Sequence, residues 1–215
     1  MKDIAIYGAG GLGRELAAAL DYLTWDNPEG WNFVGFFDDG EPVWKQVGKY
    51  GKILGGIDEL NNWKSPLNVV LCFGAPETIR IVKNKITNPL ISFPNLIHKG
   101  FWVSDRDTFS IGQGNIIQGG CCATTNVRIG NFNLFNGDVV IGHDVQIGDC
   151  NVLMPGCRIS GEAHIGNRCL IGAMSFIKQL IHVGDGVQLS PLSALLTKPK
   201  PGATYIGNPA KIFKF

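Results

Sequence analysis

From Ile111 to Leu195 the chain places an apolar residue at every sixth position without an interruption. The series reads Ile111, Ile117, Ala123, Ile129, Phe135, Ile141, Ile147, Leu153, Ile159, Ile165, Ile171, Ile177, Val183, Leu189 and Leu195. A period of six matches neither the 3.6-residue turn of an α-helix nor the two-residue alternation of a flat strand. It predicts a parallel β-helix of hexapeptide repeats, in which each short strand forms one side of a coil.

A second period lies on the first. Every third member of the series is followed by glycine, at Gly112, Gly130, Gly148, Gly166 and Gly184. Eighteen residues therefore make one three-sided coil, and the spacing predicts five coils that bury their apolar stack against one another. Most of these glycines precede asparagine or aspartate. We expect such pairs to form turns, because both residue types tolerate backbone conformations closed to bulkier residues.

The first hundred residues follow a different pattern, in which short apolar runs alternate with amphipathic ones. Strands are predicted at residues 4–7, 33–37, 69–73 and 90–93, and helices at residues 14–23 and 77–85. This alternation predicts a small parallel sheet covered by helices, equivalent to half of a Rossmann-like nucleotide-binding fold. The predicted fold class is therefore an α/β domain at residues 1–97, followed by a β-helix domain with a C-terminal tail at residues 98–215.

A glycine-rich loop follows the first predicted strand. The segment Gly8-Ala9-Gly10-Gly11-Leu12-Gly13 matches G-x-G-x-x-G, which can direct backbone N–H groups and a helix N-terminus toward a phosphate. A tight turn without a ligand is the alternative interpretation. Asp38, at the end of the second strand, could bond a ribose hydroxyl. Because the same arrangement would bind NAD, an oxidoreductase remains an alternative, although no second half-domain follows.

Composition excludes several classes of function. A net charge of +1 over 215 residues gives no reason to expect nucleic acid or an anionic membrane as a partner. The N-terminal segment resembles neither a signal peptide nor a membrane span. Cys121, Cys157 and Cys169 recur four residues after stacked positions and are predicted to pack in the core. No C-x-x-C pair occurs, so we expect no metal site and a reducing, cytoplasmic location.

His143 is the candidate for catalysis. It falls two residues after stacked Ile141, near a corner of the coil, and Asp144 is its neighbour. An imidazole beside a carboxylate suits a general base, and a solvated corner histidine is the alternative. His164 and His182 are eighteen apart and should stack on the surface as a ladder or a subunit contact, with metal binding less favoured.

The final eighteen residues are basic. They contain lysines at positions 198, 200, 211 and 214 and no acidic residue. Such a segment could hold the phosphates of a nucleotide-like cofactor, or it could be a solvated tail.

Several ordered motifs together resemble one known family along the whole chain. They are the glycine loop, Phe36-Phe37-Asp38-Asp39, the segment from Phe73 to Arg80, Leu96-Ile97-His98-Lys99, Ile141-Gly142-His143-Asp144 and Gly207-Asn208-Pro209-Ala210-Lys211. The chain resembles the two-domain sugar acyltransferases of the hexapeptide superfamily, which include nucleotide-sugar N-acetyltransferases and sialic acid O-acetyltransferase-like proteins.

The resemblance implies a homotrimer of left-handed β-helices with acetyl-CoA bound in the groove between neighbours. It implies His143 as the catalytic base beside Asp144, and the N–H of Gly161 as a donor to the thioester carbonyl. Residues implied in binding acetyl-CoA are Gly161, Lys198, Asn208, Pro209 and Lys211. Residues implied in binding a nucleotide sugar are Gly8, Gly10, Gly11, Gly13, Asp38, Asp39, Gly74 and Ala75.

The predicted function is therefore acetyl transfer from acetyl-CoA to an amino or hydroxyl group of a nucleotide-linked sugar in bacterial glycan biosynthesis. A sialic acid-type O-acetyltransferase and a non-catalytic nucleotide-sugar-binding protein are the alternatives. A metal-dependent hydratase is disfavoured, because the histidines lack the short spacing within one coil that such a site needs.

Overall fold

The computed structural model describes residues 1–214, so the last residue of the predicted second domain lies outside the described residues. The chain divides into two compact units, Met1–Lys99 and a second unit that begins at Gly100. The observed division falls shortly after the boundary predicted between residues 97 and 98.

The first unit contains a sheet with the order β3-β4-β2-β1-β5-β6, in which only the β3–β4 pair is antiparallel. Its strands are β1 Lys2–Tyr7, β2 Trp31–Phe37, β3 Gln46–Val47, β4 Gly51–Gly55, β5 Leu67–Leu71 and β6 Ile91–Ser92. A further short strand of this unit, β7 Leu96–Ile97, lies outside this sheet. Its helices are α1 Gly11–Ala19, continued by a 3-10 turn at Leu20–Tyr22, α2 Ile57–Asn61 and α3 Pro76–Lys85. The predicted parallel sheet is confirmed.

Burial explains why these segments form the sheet. Ile4, Ala5 and Ile6 of β1 are all fully buried, as expected for a central parallel strand covered on both faces. Helix α1 begins earlier than predicted, at Gly11, and covers the sheet with Leu16. Strands β3 and β4 and helix α2 were not predicted from the sequence, since glycines flank their short apolar runs.

The second unit is a parallel β-helix with three sheets. One sheet contains β8 Trp102–Val103, β11 Cys122–Ala123, β14 Val140–Ile141, β17 Arg158–Ile159, β20 Phe176–Ile177 and β23 Ala194–Leu195. The next contains β9 Ser110–Ile111, β12 Arg128–Ile129, β15 Gln146–Ile147, β18 His164–Ile165 and β21 His182–Val183. The last contains β10 Ile116–Ile117, β13 Leu134–Phe135, β16 Val152–Leu153, β19 Leu170–Ile171, β22 Gln188–Leu189, β24 Thr204–Ile206 and the antiparallel β25 Lys211–Phe213.

The register of these sheets confirms the repeat. Ile129 pairs with Ile147 and Ile147 with Ile165, so equivalent residues of successive coils lie side by side. Every member of the six-residue series is buried except Ile111, which lies in the terminal strand of its sheet and is half-buried. The predicted stacked-coil β-helix is confirmed, and its left-handed sense stays a prediction.

A ladder of buried asparagines runs beside the apolar stack. The Nδ2 of Asn133 donates to Oδ1 of Asn115 at 3.0 Å, and the Nδ2 of Asn151 donates to Oδ1 of Asn133 at 3.0 Å. Each of these oxygens also accepts the backbone N–H of the next asparagine in the ladder. Because every step is satisfied, the polar column stabilises the interior and fixes the stacking of the coils. Cys157 and Cys169 are fully buried, as predicted.

The corner glycines are required for a reason other than the one expected. Gly130 and Gly148 do not adopt left-handed φ values, which occur two residues later, at Phe132 and Cys150. A Cβ atom at Gly130 would instead lie 2.2 Å from Oδ1 of Asp149, on the next coil. That oxygen accepts the N–H of Asn131 at 2.7 Å. The close approach of adjacent coils therefore excludes side chains at these positions.

Candidate active site

The imidazole of His143 and the carboxylate of Asp144 form a pair at the corner that follows β14. Nδ1 of His143 lies 2.8 Å from Oδ2 of Asp144. The side chains remain 58% and 45% exposed, so the pair is open to a substrate. Asp144 has a left-handed φ of 58°, and its N–H donates to the carbonyl of Thr125 on the preceding coil at 3.0 Å. The coil backbone therefore fixes the position from which the Asp144 side chain extends.

Asn126 orients the Asp144 carboxylate from the coil before. Its Nδ2 donates to Oδ1 of Asp144, and its own N–H is held by Oγ1 of Thr108 at 2.9 Å. The hydrogen bonds from Asn126 and His143 hold the pKa of Asp144 below its usual range. The ionised carboxylate favours a proton on Nδ1 of His143, which leaves Nε2 as the ring's acceptor. Sequence reasoning missed Asn126, although its eighteen-residue offset from Asp144 could have revealed it.

Gly161 lies directly against the His143 ring. A Cβ atom at Gly161 would fall 2.4 Å from Nε2 and 2.5 Å from Cε1 of His143, so only glycine leaves space for the imidazole. The carbonyl of Gly161 accepts the N–H of Leu180 at 3.1 Å. Its N–H has no acceptor among residues 1–214, and Gly161 itself is buried. The corner thus brings the His143 imidazole and the backbone of Gly161 into contact.

A groove of about 680 Å³ lies on the neighbouring sheet of β12, β15, β18 and β21. Its lining includes the outward side chains Arg128, Gln146, His164 and His182, together with Lys198 and Pro199 from the segment after the last coil. The rings of His164 and His182 stack with centroids 4.4 Å apart, and burial together with His182 lowers the pKa of His164. Residues 1–214 contain no group of three or more histidine, cysteine or acidic side chains that could hold a metal ion.

The other tail residues predicted to bind the cofactor lie outside the lining of this groove. Asn208 and Pro209 are joined by a cis peptide bond and are both exposed. Lys211 is exposed in β25, which pairs antiparallel with β24. The structure therefore brings Lys198 to the groove and holds Asn208, Pro209 and Lys211 in the terminal hairpin.

Two glycines of the loop in the first unit are tightly packed, and two others have open space around them. Gly8 has a φ of 111°, and a Cβ there would lie 2.6 Å from the carbonyl oxygen of Cys72. A Cβ at Gly13 would lie 1.9 Å from the carbonyl oxygen of Gly8, so this glycine lets helix α1 pack against β1. A Cβ atom added at Gly10 or Gly11 would have no other atom within 4 Å. No side chain caps the N-terminus of α1, which faces this open space.

The carboxylate of Asp38 is turned onto the loop backbone. Its Oδ2 accepts the N–H of Ala9 at 2.8 Å, and its Oδ1 accepts the N–H of Gly40 at 2.9 Å. Asp38 therefore closes the glycine loop, in addition to any contact it makes with a ligand.

Asp39 is held by partners on two other elements. Its Oδ1 accepts the N–H of Ile57, at the start of α2, at 2.9 Å. Its Oδ2 accepts the phenol of Tyr7, at the end of β1, at 2.7 Å. Burial and the Asp39 carboxylate raise the pKa of Tyr7, so its phenol remains protonated and donates this bond. Sequence reasoning did not single out Tyr7, because the partners lie on different strands.

Gly74 and Ala75 follow β5 at the same edge of the sheet. Strand β5 pairs with β1, so the carboxyl ends of both strands lie side by side. Gly74 has open space around it, and Ala75 precedes Pro76 at the start of α3. The edge formed by the glycine loop and this segment is where open α/β sheets bind ligands.

The β-helix places an imidazole beside a carboxylate at one corner, an arrangement that suits proton transfer. The family described as PglD N-terminal domain matches residues 3–86, and the bacterial transferase hexapeptide family matches residues 144–179. Both matches support the resemblance to the hexapeptide-repeat nucleotide-sugar acyltransferases that the sequence motifs predicted. The matches favour an acyltransferase over the oxidoreductase that the glycine loop left open.

Solved structures agree with this assignment. The acetyltransferase domain of PglB from Neisseria gonorrhoeae FA1090 is 25% identical, covers 99% of this chain and 100% of that one, and superimposes with a TM-score of 0.86. WeeI from Acinetobacter baumannii AYE is 23% identical, covers 99% of this chain and 100% of its own, and gives a TM-score of 0.80. A mutant of perosamine N-acetyltransferase from Caulobacter crescentus, in complex with CoA and GDP-perosamine, is 17% identical. It covers 100% of this chain and 98% of its own with a TM-score of 0.81.

No protein of curated function matches this sequence. No helix within residues 1–214 is long and apolar enough to cross a lipid bilayer.

Proposed function

We propose that this protein transfers the acetyl group of acetyl-CoA to an amino or hydroxyl group of a nucleotide-linked sugar, with His143 as the general base. The observation that carries the proposal is the contact of the His143 ring with Gly161, whose N–H is free among residues 1–214. The PglB acetyltransferase domain, 25% identical to this chain, has been solved with acetyl coenzyme A. This supports acetyl-CoA as the co-substrate.

In the proposed reaction, the acceptor nitrogen or oxygen attacks the thioester carbonyl and forms a new bond to its carbon. Nε2 of His143 removes the proton from the acceptor, and Asp144 stabilises the resulting imidazolium through Nδ1. The tetrahedral intermediate collapses by breaking the carbon–sulfur bond, and the CoA thiolate receives the proton from His143. The side chain makes no covalent bond to the acetyl group, so the rate depends on holding both substrates together.

The N–H of Gly161 stabilises the charge that develops on the carbonyl oxygen. Removing one oxyanion-hole donor costs about 3–4 kcal/mol of transition-state stabilisation in another acyl-transfer enzyme. Here the donor adjoins Nε2, because the ring contacts the Gly161 backbone. One corner therefore supplies both the base and the oxyanion contact.

The basic groove and the terminal hairpin are proposed to hold CoA. Lys198 lines the groove beside the stacked histidines. Its ammonium group suits a phosphate of the cofactor. Asn208, Pro209 and Lys211 of the hairpin are proposed to contact the remainder of the cofactor.

The α/β domain at residues 1–97 is proposed to bind the nucleotide sugar. Gly10 and Gly11 leave the N-terminus of α1 open to a diphosphate, while Gly8 and Gly13 shape the loop. Asp39, held by two other elements, is proposed to contact the nucleoside. Asp38, Gly74 and Ala75 complete the proposed substrate edge.

We propose a cytoplasmic homotrimer, with the acyl-transfer cleft between neighbouring β-helices. All six cysteines are unpaired thiols, which suits a reducing compartment. The trimer rests on the family resemblance, and sedimentation velocity of the purified protein tests it.

The test of the function is a screen of UDP-, dTDP- and GDP-linked amino sugars with acetyl-CoA, followed by release of free thiol. The wild-type protein should acetylate at least one of them, and His143→Ala should lose orders of magnitude in kcat while still binding CoA. Nucleotide-sugar binding without thiol release would identify a binding protein instead. Full turnover by His143→Ala would remove His143 from the mechanism.

A further inference from the structure

One exposed aromatic residue near the proposed nucleotide edge has no role in the fold. Trp44 lies in the loop between β2 and β3, five residues after Asp39, and is 68% exposed. Its indole makes no hydrogen bond or ring contact with any residue of the described range 1–214. An exposed indole contributes no hydrophobic stabilisation to the fold, so core packing does not account for a tryptophan at this position.

The backbone at Trp44 is in an unfavourable conformation. Lys45 N–H donates to the carbonyl of Pro42 at 3.1 Å, which closes a turn whose third residue is Trp44. Trp44 has a φ of 69°, in the left-handed region that such turns normally fill with glycine or asparagine. Glycine would relieve this strain, and backbone strain of this kind also occurs at functional sites.

The strained turn is held firmly in place. Trp44 N–H donates to the carbonyl of Ile53 on β4 at 2.8 Å, and Ile53 N–H donates to the carbonyl of Lys45 at 3.0 Å. Beside the turn, Lys45 pairs with Glu41, which neutralises the charge next to the indole. The backbone of the turn is therefore held in place, and the indole extends from it into solvent.

The position of Trp44 relates it to the glycine loop. Ile53 of β4 pairs with Phe36 of β2, and the sheet continues from β2 to β1, where the glycine loop begins. Three strand spacings therefore separate the turn from the glycine loop, or about 14 Å across the sheet. Asp39 lies between them, at the end of β2. A nucleoside diphosphate with its phosphates at α1 would extend its base toward the turn.

We propose that Trp44 is the platform on which the base of the nucleotide sugar stacks. This inference rests on the proposed function, and it names the residue that binds the nucleobase. Stacking uses the π-face that every base has, so Trp44 contributes affinity for any nucleoside diphosphate. Discrimination between bases then falls to polar groups such as Asp39.

The experiment measures binding of UDP, GDP and dTDP to the full-length protein by calorimetry and tryptophan fluorescence. Trp44→Ala should raise the Kd of the preferred nucleotide roughly tenfold or more, and Trp44→Phe should retain most of the affinity. Affinity for inorganic pyrophosphate, which has no base, should be unchanged. Trp102→Ala is the matched control, because Trp102 is 57% exposed and lies in the second unit.

Trp44→Gly separates a binding role from a structural one. Glycine relieves the left-handed strain, so the midpoint of thermal unfolding should rise while nucleotide affinity falls. If Trp44→Ala and Trp44→Gly bind the nucleotide as well as the wild type does, the inference is wrong and the proposed function stands. If the wild-type protein binds no nucleoside diphosphate, the nucleotide-sugar substrate fails and this inference fails with it.

Discussion

Substitution of Gly161 by alanine tests the geometry of the catalytic corner while keeping both the imidazole and the backbone N–H of residue 161. The new methyl carbon would lie 2.4 Å from Nε2 of His143, about 1 Å inside a normal contact between heavy atoms. The backbone of Gly161 does not require glycine, since its φ is outside the left-handed region. The half-exposed imidazole must therefore rotate away, because nothing else in the contact is free to yield.

A displacement of about 1 Å at a catalytic group costs on the order of 10²-fold in rate, equivalent to about 2.7 kcal/mol. We expect Gly161→Ala to lose about that factor in kcat, measured by thiol release. The free energy of unfolding should change by less than about 0.5 kcal/mol, since the ring moves into solvent.

Gly137→Ala is the matched control. Gly137 follows Phe135 as His143 follows Ile141, but at a different corner, and a Cβ there meets its nearest atom at 3.4 Å. Its kcat should equal that of the wild type. If Gly161→Ala keeps kcat within about twofold, the position of the His143 ring does not govern the reaction and the proposed corner is wrong.

Four other substitutions test the supporting contacts. Asn126→Ala removes the donor to Asp144, so kcat should fall about tenfold at constant KM. A kcat equal to that of the wild type would refute the positioning role of Asn126. Asn133→Val breaks the buried ladder and leaves donors of Asn151 unpaired, so urea unfolding should show a loss of about 2–4 kcal/mol. Cys169→Val, at the end of that ladder, should lower the free energy of unfolding by less than about 1 kcal/mol. If Asn133→Val and Cys169→Val lose the same stability, the side-chain amide bonds of the ladder are unimportant. Hydrogen bonds from Asn167 lower the pKa of Asp185, so its stabilising effect is present above the unfolded-state pKa and disappears as pH falls through the folded-state pKa. Asp185→Asn should therefore unfold at a lower temperature than the wild type at pH 7, and the gap should close below about pH 4; a gap independent of pH would contradict this.

Much of the β-helix could be read from the sequence because its contacts repeat. Residues eighteen apart become neighbours in adjacent coils, so the pairing of Ile129 with Ile147 follows from the period. The same rule places Gly161 one coil after His143 and stacks His164 on His182. It also places Asn126 beside Asp144, because the same period applies to polar positions.

The corner glycines show where pattern reasoning gave the right position and the wrong cause. Their recurrence predicted turns, but the constraint at Gly130 is the side chain of Asp149 on the next coil. A local preference for a turn and a close contact between coils both produce a recurring glycine in the sequence. Only the structure distinguishes the two causes, because it shows which atom occupies the space that a side chain at the glycine would need.

By itself the sequence determined the two-part architecture, the register of the coils and the pairing of His143 with Asp144. Tertiary structure alone decided how the first unit arranges its polar groups: Asp38 turns back onto Ala9, and Tyr7 reaches Asp39 from another strand. It also decided that Trp44 stays in solvent with a left-handed backbone. The physical reason is that a repeat converts distance along the chain into distance in space. An open α/β sheet does not, because its neighbouring strands are joined by segments of unequal length.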